Sequence, residues 1–505
     1  MPERQLYAGI DLGSNSFHLV VARLEHGQLR VIDRLKDMVR LAGGLDDDGQ
    51  LAAETRSSAI ASLARFGERI RTIPDHQIRA VGTQTFRRLA HPAAFLVIAE
   101  TALGCPIDIV SGREEARLVW LGISQGIAPA DGRRLIIDIG GGSTEIAAGE
   151  SVQPTLAESF PVGCVGLTSE VFPDGRLTVQ RYDQALSDCR AELQGWSKSF
   201  RDFGWTEAVG SSGTIRALAS MIDAGQSTST QRITAAGLAR LRQDLLNCKS
   251  IDRINLPGLS DRRRPVIAGG LIILEAIFAT LGIDQLQVSP FALREGLLHD
   301  LIGRLAHRDP RDGTVRAMVA RYQVDQAQAA RVTDWTATAF DQVSQTWKLK
   351  SIHAELLHWI CQLHEVGLAI AHENFRQHSA YILNHADMPG FSRQEQQFMA
   401  AVAGLQRRRV SPGALADLPE RLHDPARKLL ALLRLAVTIC RGRTDSGFGD
   451  FSLTAGPGRL ELALAPGWLS AHPLVHRDLE LEQAELRQLD IELTLADLTN
   501  REVWQ

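Results

Sequence analysis

Two stretches of the sequence end an apolar run in an aspartate and break at once into a glycine-bearing turn. The first, AGIDLGSNSFHLVVA, holds Asp11, Asn15 and Ser16; the second, LIIDIGGGSTEIAAG, holds Asp138, Gly141, Gly142, Ser143, Thr144 and Glu145. A glycine turn between strands presents consecutive backbone N–H groups to one point, and without Cβ atoms an anion can come close. The hydroxyls add donors. Carboxylates beside such a cradle repel phosphate unless a divalent cation intervenes, and Mg²⁺ takes one or two carboxylates together with phosphate oxygens and water. The residue types therefore point to a metal-assisted phosphate site, with Asp138 and Glu145 at one turn and Asp11, Asn15 and Ser16 at the other. A dinucleotide-binding motif needs a helix after its glycines, whereas STEIAAG continues as a strand. A P-loop needs Gly-Lys-Ser/Thr, which does not follow.

Further stretches carry candidate groups. SGREEARL puts Glu114 and Glu115 at the start of an expected helix. Acids in a first turn complement the helix dipole; the other reading is that one of the pair takes the proton of an attacking water. Arg87 and Arg88 follow the turn in VGTQTFRRL, and arginine is the natural neutraliser of a multiply charged phosphate chain. EAVGSSGTIRALAS repeats the strand-turn-helix grammar around Gly213 and Thr214. Two basic runs, DRRRP at Asp261–Pro265 and Arg407–Arg409, read as solvated surface or as added phosphate contacts.

The elements that must position these residues follow from periodicity. Tyr7–Asp11, Phe17–Ala22 and Gln28–Arg34 read as consecutive strands. A helical period runs from Ala52 to Ile70, and IRAVGTQTFRRL and IDIVSGREEARLVWLGI each read as strand, turn and helix. The aspartate-turn pattern then returns. Asp11 and Asp138 lie about 130 residues apart, too far for a solenoid period and right for a duplicated domain. Beyond Arg304 strands vanish, helical runs dominate from Thr314 to Cys440, and FSLTAGPGRLELALAPGWL reads as a β-hairpin.

At 505 residues the chain exceeds one core. Its net charge of -4 advertises neither nucleic acid nor an anionic membrane, so an anionic substrate must be met by local positive charge. Six scattered cysteines without a Cys-x-x-Cys pair suit a reducing compartment, and the N-terminus has no apolar signal region. GGLIILEAIFATLGI carries Glu275 and is short for a membrane span, so it reads as a core helix. The expectation is a cytoplasmic protein with no transmembrane segment and no nucleic-acid partner.

Taken together, GIDLGSNSFHLVVA, VGTQTFRRL, SGREEARLVWLGI, IDIGGGSTEIAAG, GSSGTIRAL, LPGLSDRRR, ALREGLL and LHEVGLAI…HSAYIL resemble the exopolyphosphatase/guanosine pentaphosphate phosphohydrolase family, in order and over nearly the whole chain. The resemblance implies an α/β fold. Duplicated ribonuclease-H-like domains of the acetate kinase/Hsp70/actin-like kind would occupy 1–130 and 131–304. An all-α HD-like domain would follow at 305–445 and a small α+β C-terminal domain at 446–505. The implied activity is exopolyphosphatase: hydrolysis of the terminal phosphate of inorganic polyphosphate. The alternative is conversion of guanosine pentaphosphate (pppGpp) to the tetraphosphate, and the reading from a different class is a non-catalytic polyphosphate sensor.

Carried over by resemblance, Glu115 is the general base, Asp138 and Glu145 are catalytic acids handling metal and water, and Asp11 joins them at Mg²⁺, other divalent ions being admissible. Asn15, Ser16, Arg87, Gly141, Gly142, Ser143, Thr144, Gly213 and Thr214 bind substrate, with His378 added from the helical domain beside Arg376 and Ser379. A homodimer is also implied. The helical domain departs from the HD pattern: His364-Glu365 replaces the His-Asp pair and Val437 stands where a last ligand would be, so a second metal site is not expected. His423-Asp424 is discounted because Pro425 follows, which a helix interior does not readily host.

Overall fold

The computed structural model describes residues 5–25, 28–127, 132–224, 232–306, 309–411, 413–443 and 450–498. The chain divides into two compact units, Met1–Asp309 and Pro310–Gln505. The boundaries expected near 130 and 445 fall outside the described residues.

The first unit contains the same sheet twice. Strands β1 (Leu6–Leu12), β2 (Phe17–Glu25) and β3 (Gln28–Asp37) form an antiparallel meander, followed by α1 (Ala53–Ile70), β4 (Ile78–Gly82), α2 (Gln84–Arg88), α3 (Pro92–Leu103), β5 (Ile107–Ile109) and α4 (Gly112–Gly126). The sheet order is β3-β2-β1-β4-β5, with β4 and β5 parallel to β1. The second half repeats it. β6 (Arg134–Ile139), β7 (Thr144–Gly149) and β8 (Leu156–Phe160) form the meander. α5 (Cys164–Val171), α6 (Val179–Phe203), β9 (Glu207–Ser211), α7 (Ser212–Asp223), β10 (Arg232–Thr234), α8 (Ala235–Asn247), α9 (Ile267–Leu281), β11 (Gln285–Val288) and α10 (Leu293–Leu305) complete it. Its order, β10-β11-β9-β6-β7-β8, matches the first sheet strand for strand, with β10 added at the edge. The duplication inferred from two aspartates is thus a duplication of topology. The central strands read as continuous apolar runs because both faces are covered. The edge strand β3 alternates charged and apolar residues.

Two helices lie between the sheets. One continuous cluster joins Leu118, Val119, Trp120 and Ile123 of α4 and Leu293 and Leu297 of α10 to Val81 of the first sheet and Ile136, Ala147 and Val209 of the second. α4 and α10 touch backbone to backbone, since a Cβ on Gly296 would collide with the Leu118 carbonyl and one on Gly122 with the Ala292 carbonyl. The apolar stretch read as a core helix is α9, buried along most of its length in the second half's core.

In the second unit, α11 (Pro310–Arg321), α12 (Gln326–Val343), α13 (Ser351–Leu363), α14 (Phe375–His385), α15 (Arg393–Gly404) and α16 (Glu420–Ile439) precede the hairpin β12 (Phe451–Gly456) and β13 (Arg459–Leu464). α17 (Trp468–Ala471), α18 (Pro473–Arg487) and β14 (Glu492–Asp497) follow. The hairpin turns at Gly458, whose φ of 64° suits glycine. Leu453, Leu460, Leu479 and Leu493 share one core with the helices. One expectation is corrected here: α16 does run through Pro425. The proline sits early in the helix, so it costs one hydrogen bond rather than ending the element. His423 and Asp424 are still no metal pair, because His423 Nε2 lies 2.7 Å from the Leu418 carbonyl and Asp424 accepts from Lys428 at 2.5 Å.

Candidate active site

The carboxyl ends of β1, β4, β6 and β9 meet in one cleft of about 120 Å³ between the two halves of the first unit. It is lined by Asp11, Asn15 and Ser16 from the first turn, Gly141, Gly142, Ser143, Asp138 and Glu145 from the second, Glu115 from α4, and Gly213 and Thr214 from α7. A roomier cavity of about 510 Å³ sits at the opposite ends of β9 and β11, and no expected site residue lines it.

β-pairing fixes where the acids point. Asp138 lies directly across the β6–β7 hairpin from Glu145, and Asp11 occupies the same place on β1 opposite His18. Like charges directly opposed destabilise a sheet, so the Asp138–Glu145 pair is not there for the fold. Ser159 on β8 donates to Glu145 Oε1 at 2.9 Å and holds that oxygen. Ser111 caps α4, accepting from the Glu114 N–H at 3.2 Å, and so sets the direction of the helix's first turn. Adjacent residues on a helix point different ways. Glu115 faces the cleft, while Glu114 faces inward and is held by Arg117 at 2.7 and 2.8 Å.

The electrostatics are those of carboxylates crowded together away from water. Burial, then Glu115, pushes Asp11 up to about 8. The same two causes push Asp138 up to about 7. Glu145 is driven well above the usual carboxylate range by burial, then Glu115 and Asp138. Glu115 is raised by burial, against the pull of Arg87, whose Nη1 lies 3.0 Å from Oε2. Among the described residues Asp11 and Asp138 have no ion-pair partner, and no three acidic, histidine or cysteine side chains form a ready-made metal cage. Hard oxygen donors, too few to close a shell, suit an ion that keeps waters and takes phosphate oxygens as ligands.

Four cations line the same cleft: Arg263, from the basic run DRRRP, and three that the sequence pattern did not single out, Lys36 on β3, Arg216 on α7 and Arg294 on α10. Burial and the neighbouring guanidinium groups lower Lys36 to about 8, and burial and then Lys36 lower His18 to about 3, so the net field here is positive although Arg294 is paired with Glu295. Arg216 and Arg294 sit within stretches already noted, GSSGTIRAL and ALREGLL, but nothing local separates them from surface arginines. Gly213 lets Arg263 lie across the α7 turn, since a Cβ there would meet its guanidinium. Ser212, preceding it, holds a left-handed φ of 89° while its hydroxyl accepts from the Thr214 and Ile215 N–H groups. Strain of this kind in a non-glycine residue collects at functional sites.

Four expected contacts differ. Thr144 is fully buried and donates to the Val162 carbonyl at 2.8 Å, so its hydroxyl is unavailable to a ligand. Arg87 does not line the cleft; its Nη1 bonds the Val110 carbonyl and Glu115, which makes it a partner of the base. Gly141 and Gly142 line the cleft, but the space their missing Cβ atoms leave is filled by the other half of the unit. A Cβ on Gly141 would sit 3.1 Å from Asn15 Cβ, and one on Gly142 would collide with the Gln84 amide. His378 lies in the second unit, packed against Gly367, and lines no cavity near the expected residues. Its neighbour Ser379 is buried, its hydroxyl spent on the Gly367 N–H and His364 carbonyl. Arg376, by contrast, lines a cavity of about 510 Å³ with Arg407, Arg408, Arg441 and Arg443.

Comparison with known proteins places the chain in a family. The family model for the Ppx/GppA phosphatase family matches residues 20–305, and that for Ppx/GppA phosphatase, domain III, matches 311–483. The chain is 38% identical to a guanosine-5'-triphosphate,3'-diphosphate pyrophosphatase of Aeromonas hydrophila over 484 residues, covering 95% of this chain and 97% of that protein. It is 37% identical over the same length to a protein of the same description from Aeromonas salmonicida. Among solved structures, an exopolyphosphatase from Cytophaga hutchinsonii superposes with a TM-score of 0.54 at 21% identity, over 60% of this chain and 98% of that one. That likeness speaks for the actin-like fold alone.

Proposed function

Because this chain belongs to the Ppx/GppA phosphatase family, hydrolases of phosphoanhydride bonds, we propose that it removes the terminal 5′ phosphate of guanosine pentaphosphate. The observation that carries the substrate is the likeness, along 95% of the chain, to proteins described by that nucleotide. Exopolyphosphatase activity, placed first from the sequence, becomes the second reading; the arginine-lined cavity of the second unit favours it, as a place suited to a polyanion.

In the proposed reaction the chain end enters the cleft. The N–H groups of the two turns and the hydroxyls of Ser16 and Ser143 orient the last phosphate, and Lys36, Arg216, Arg263 and Arg294 hold the phosphates behind it. Glu115 accepts a proton from water as its oxygen bonds to the terminal phosphorus and the bridging P–O bond breaks, leaving charge on the departing diphosphate. Arg87 keeps the Glu115 carboxylate turned to the cleft. Asp11, Asp138 and Glu145 would hold Mg²⁺, which when bound neutralises phosphate charge and polarises the reacting oxygens.

The reading proposed for the helical unit is an HD-like domain without a second metal site; in its favour, Glu365 accepts from Arg443 at 2.6 and 2.8 Å and Arg443 also binds Asp325, so one guanidinium occupies both carboxylates. Cytoplasmic location and a homodimer complete the proposal.

The test is phosphate release from guanosine pentaphosphate and from long-chain polyphosphate, with and without Mg²⁺. The expected result is a higher kcat/KM on the nucleotide and a Glu115→Gln enzyme slower by about 10²–10⁴-fold in kcat. A higher kcat/KM on polyphosphate would reverse the substrate order, and normal turnover in Glu115→Gln would remove the base.

A further inference from the structure

We propose that Asp300 is a positioning residue for the reaction, acting through α4 on Glu115; the inference rests on Glu115 being the base. Directly behind the catalytic helix, and wholly out of solvent, lies an ionic cluster that the mechanism does not use. Glu114, next to the base, accepts both arms of Arg117 at 2.7 and 2.8 Å, with Arg79 of β4 at 3.6 Å. Arg79 and Arg117 both converge on Asp300 of α10, which also accepts from Arg304 at 2.7 Å. The side chains of Glu114 and Asp300 have no exposed surface, and those of Arg79 and Arg117 have 6% and 3%.

Such a cluster is an odd choice for stability alone. Well-packed apolar residues often hold a core as well or better, whereas directional bonds fix one arrangement. What this one fixes is specific. Arg79 sits two residues before Val81, the register partner of Asp11 on β1. Arg117 and Glu114 grip the first turn of α4, whose next residue is the base. Asp300 stands on α10, whose first turn puts Arg294 on the cleft rim. One buried carboxylate therefore ties together the carriers of a metal-side acid, the base and a phosphate cation. Removing its charge takes from Arg79, Arg117 and Arg304 the carboxylate they share, and because Arg79 and Arg117 also hold Glu114, the disturbance falls on the turn that aims Glu115.

The test is a double-mutant cycle on the full-length chain, reading kcat and KM for phosphate release. Asp300→Asn is expected to lower kcat about 10- to 100-fold, the scale of a misplacement near one ångström, with KM within about 3-fold. If Asp300 works through the base, Asp300→Asn adds nothing in a Glu115→Gln background, because residues acting as a unit are not additive. Losses that multiply in the double variant overturn the proposal, as does a wild-type kcat or a loss confined to KM. Should Asp300→Asn fail to fold, Arg117→Lys, which keeps the charge but loses the fork to Glu114, enters the same cycle with the same expectations. A Glu115→Gln enzyme at full rate would remove the base assignment and this proposal with it; a slow one followed by multiplying losses removes this proposal alone.

Discussion

Replacing Asp138 with asparagine should make the metal-free protein more stable while abolishing its activity. Asp138 lies opposite Glu145, and burial, then Glu115, pushes its pKa up to about 7 from an ordinary 3.8. A raised carboxylate pKa means that the folded state binds the extra proton between those two values. Stability is therefore lost progressively as pH rises through that window and stays lost above it. At about 1.4 kcal/mol per pKa unit, the ionised group costs the metal-free fold about 4 kcal/mol near pH 8 and about 2 kcal/mol near pH 5.5. Asparagine keeps the shape without the charge. For a unit of this size the melting temperature should rise about 4–8 °C near pH 8 and about half as much near pH 5.5. The assay is a thermal melt of both proteins in chelator at the two pH values, repeated with Mg²⁺. Saturating Mg²⁺ should stabilise the wild type more than the variant, closing the gap. An asparagine variant that melts below the wild type near pH 8, or a gain equal at the two pH values, refutes the electrostatic reading of the acids.

Other outcomes follow from the same geometry. Arg87→Met should lower kcat with little change in KM; because Arg87 pulls the pKa of Glu115 down, its loss should also move the acid limb of the kcat profile to higher pH, read by a pH series. Gly163→Ala should destabilise the first unit by about 1–3 kcal/mol and slow turnover, since its Cβ would collide with the Gly141–Gly142 backbone; a denaturant melt and a rate measure both. Arg407→Gln/Arg408→Gln should raise KM for long polyphosphate and flatten its salt dependence, leaving guanosine pentaphosphate hydrolysis as it was; equal KM values for long chains would take distal phosphates out of that cavity.

Much of the frame was legible because local chemistry repeats. An apolar strand closing in aspartate, a short turn and a second strand are encoded within fifteen residues, and the pattern occurs twice. Asp11, Asp138 and Glu145 could be named for that reason, whereas Glu115, outside both stretches, was singled out as the base by the family resemblance. Where the reading failed, the deciding contact came from far away in the chain. Thr144 looks like a phosphate donor until Val162 takes its hydroxyl. Arg87 looks like a substrate ligand until α4, 28 residues on, presents Glu115 to it. Lys36 and Arg294 lie 258 positions apart in sequence and meet only because α10 crosses back from the second sheet onto the first. The three glycines were noticed for the right reason, close approach, but what approaches two of them is the partner turn.

That last difference bears on why cleavage should occur at a chain end. If the Gly141–Gly142 turn were open, a phosphate chain could thread between the halves and be cut internally. Instead Asn15 and Gln84 pack against those two glycines from the other half of the unit. Both signs of charge line this one cleft: Asp11, Glu115, Asp138 and Glu145 suit a cation and its water, and Lys36, Arg216, Arg263 and Arg294 suit phosphate oxygens. In the proposed reaction a chain end meets both sets of groups at once, whereas a chain passing through would need a second opening past Asn15 and Gln84; the choice of nucleotide or inorganic chain is left to groups beyond the cleft.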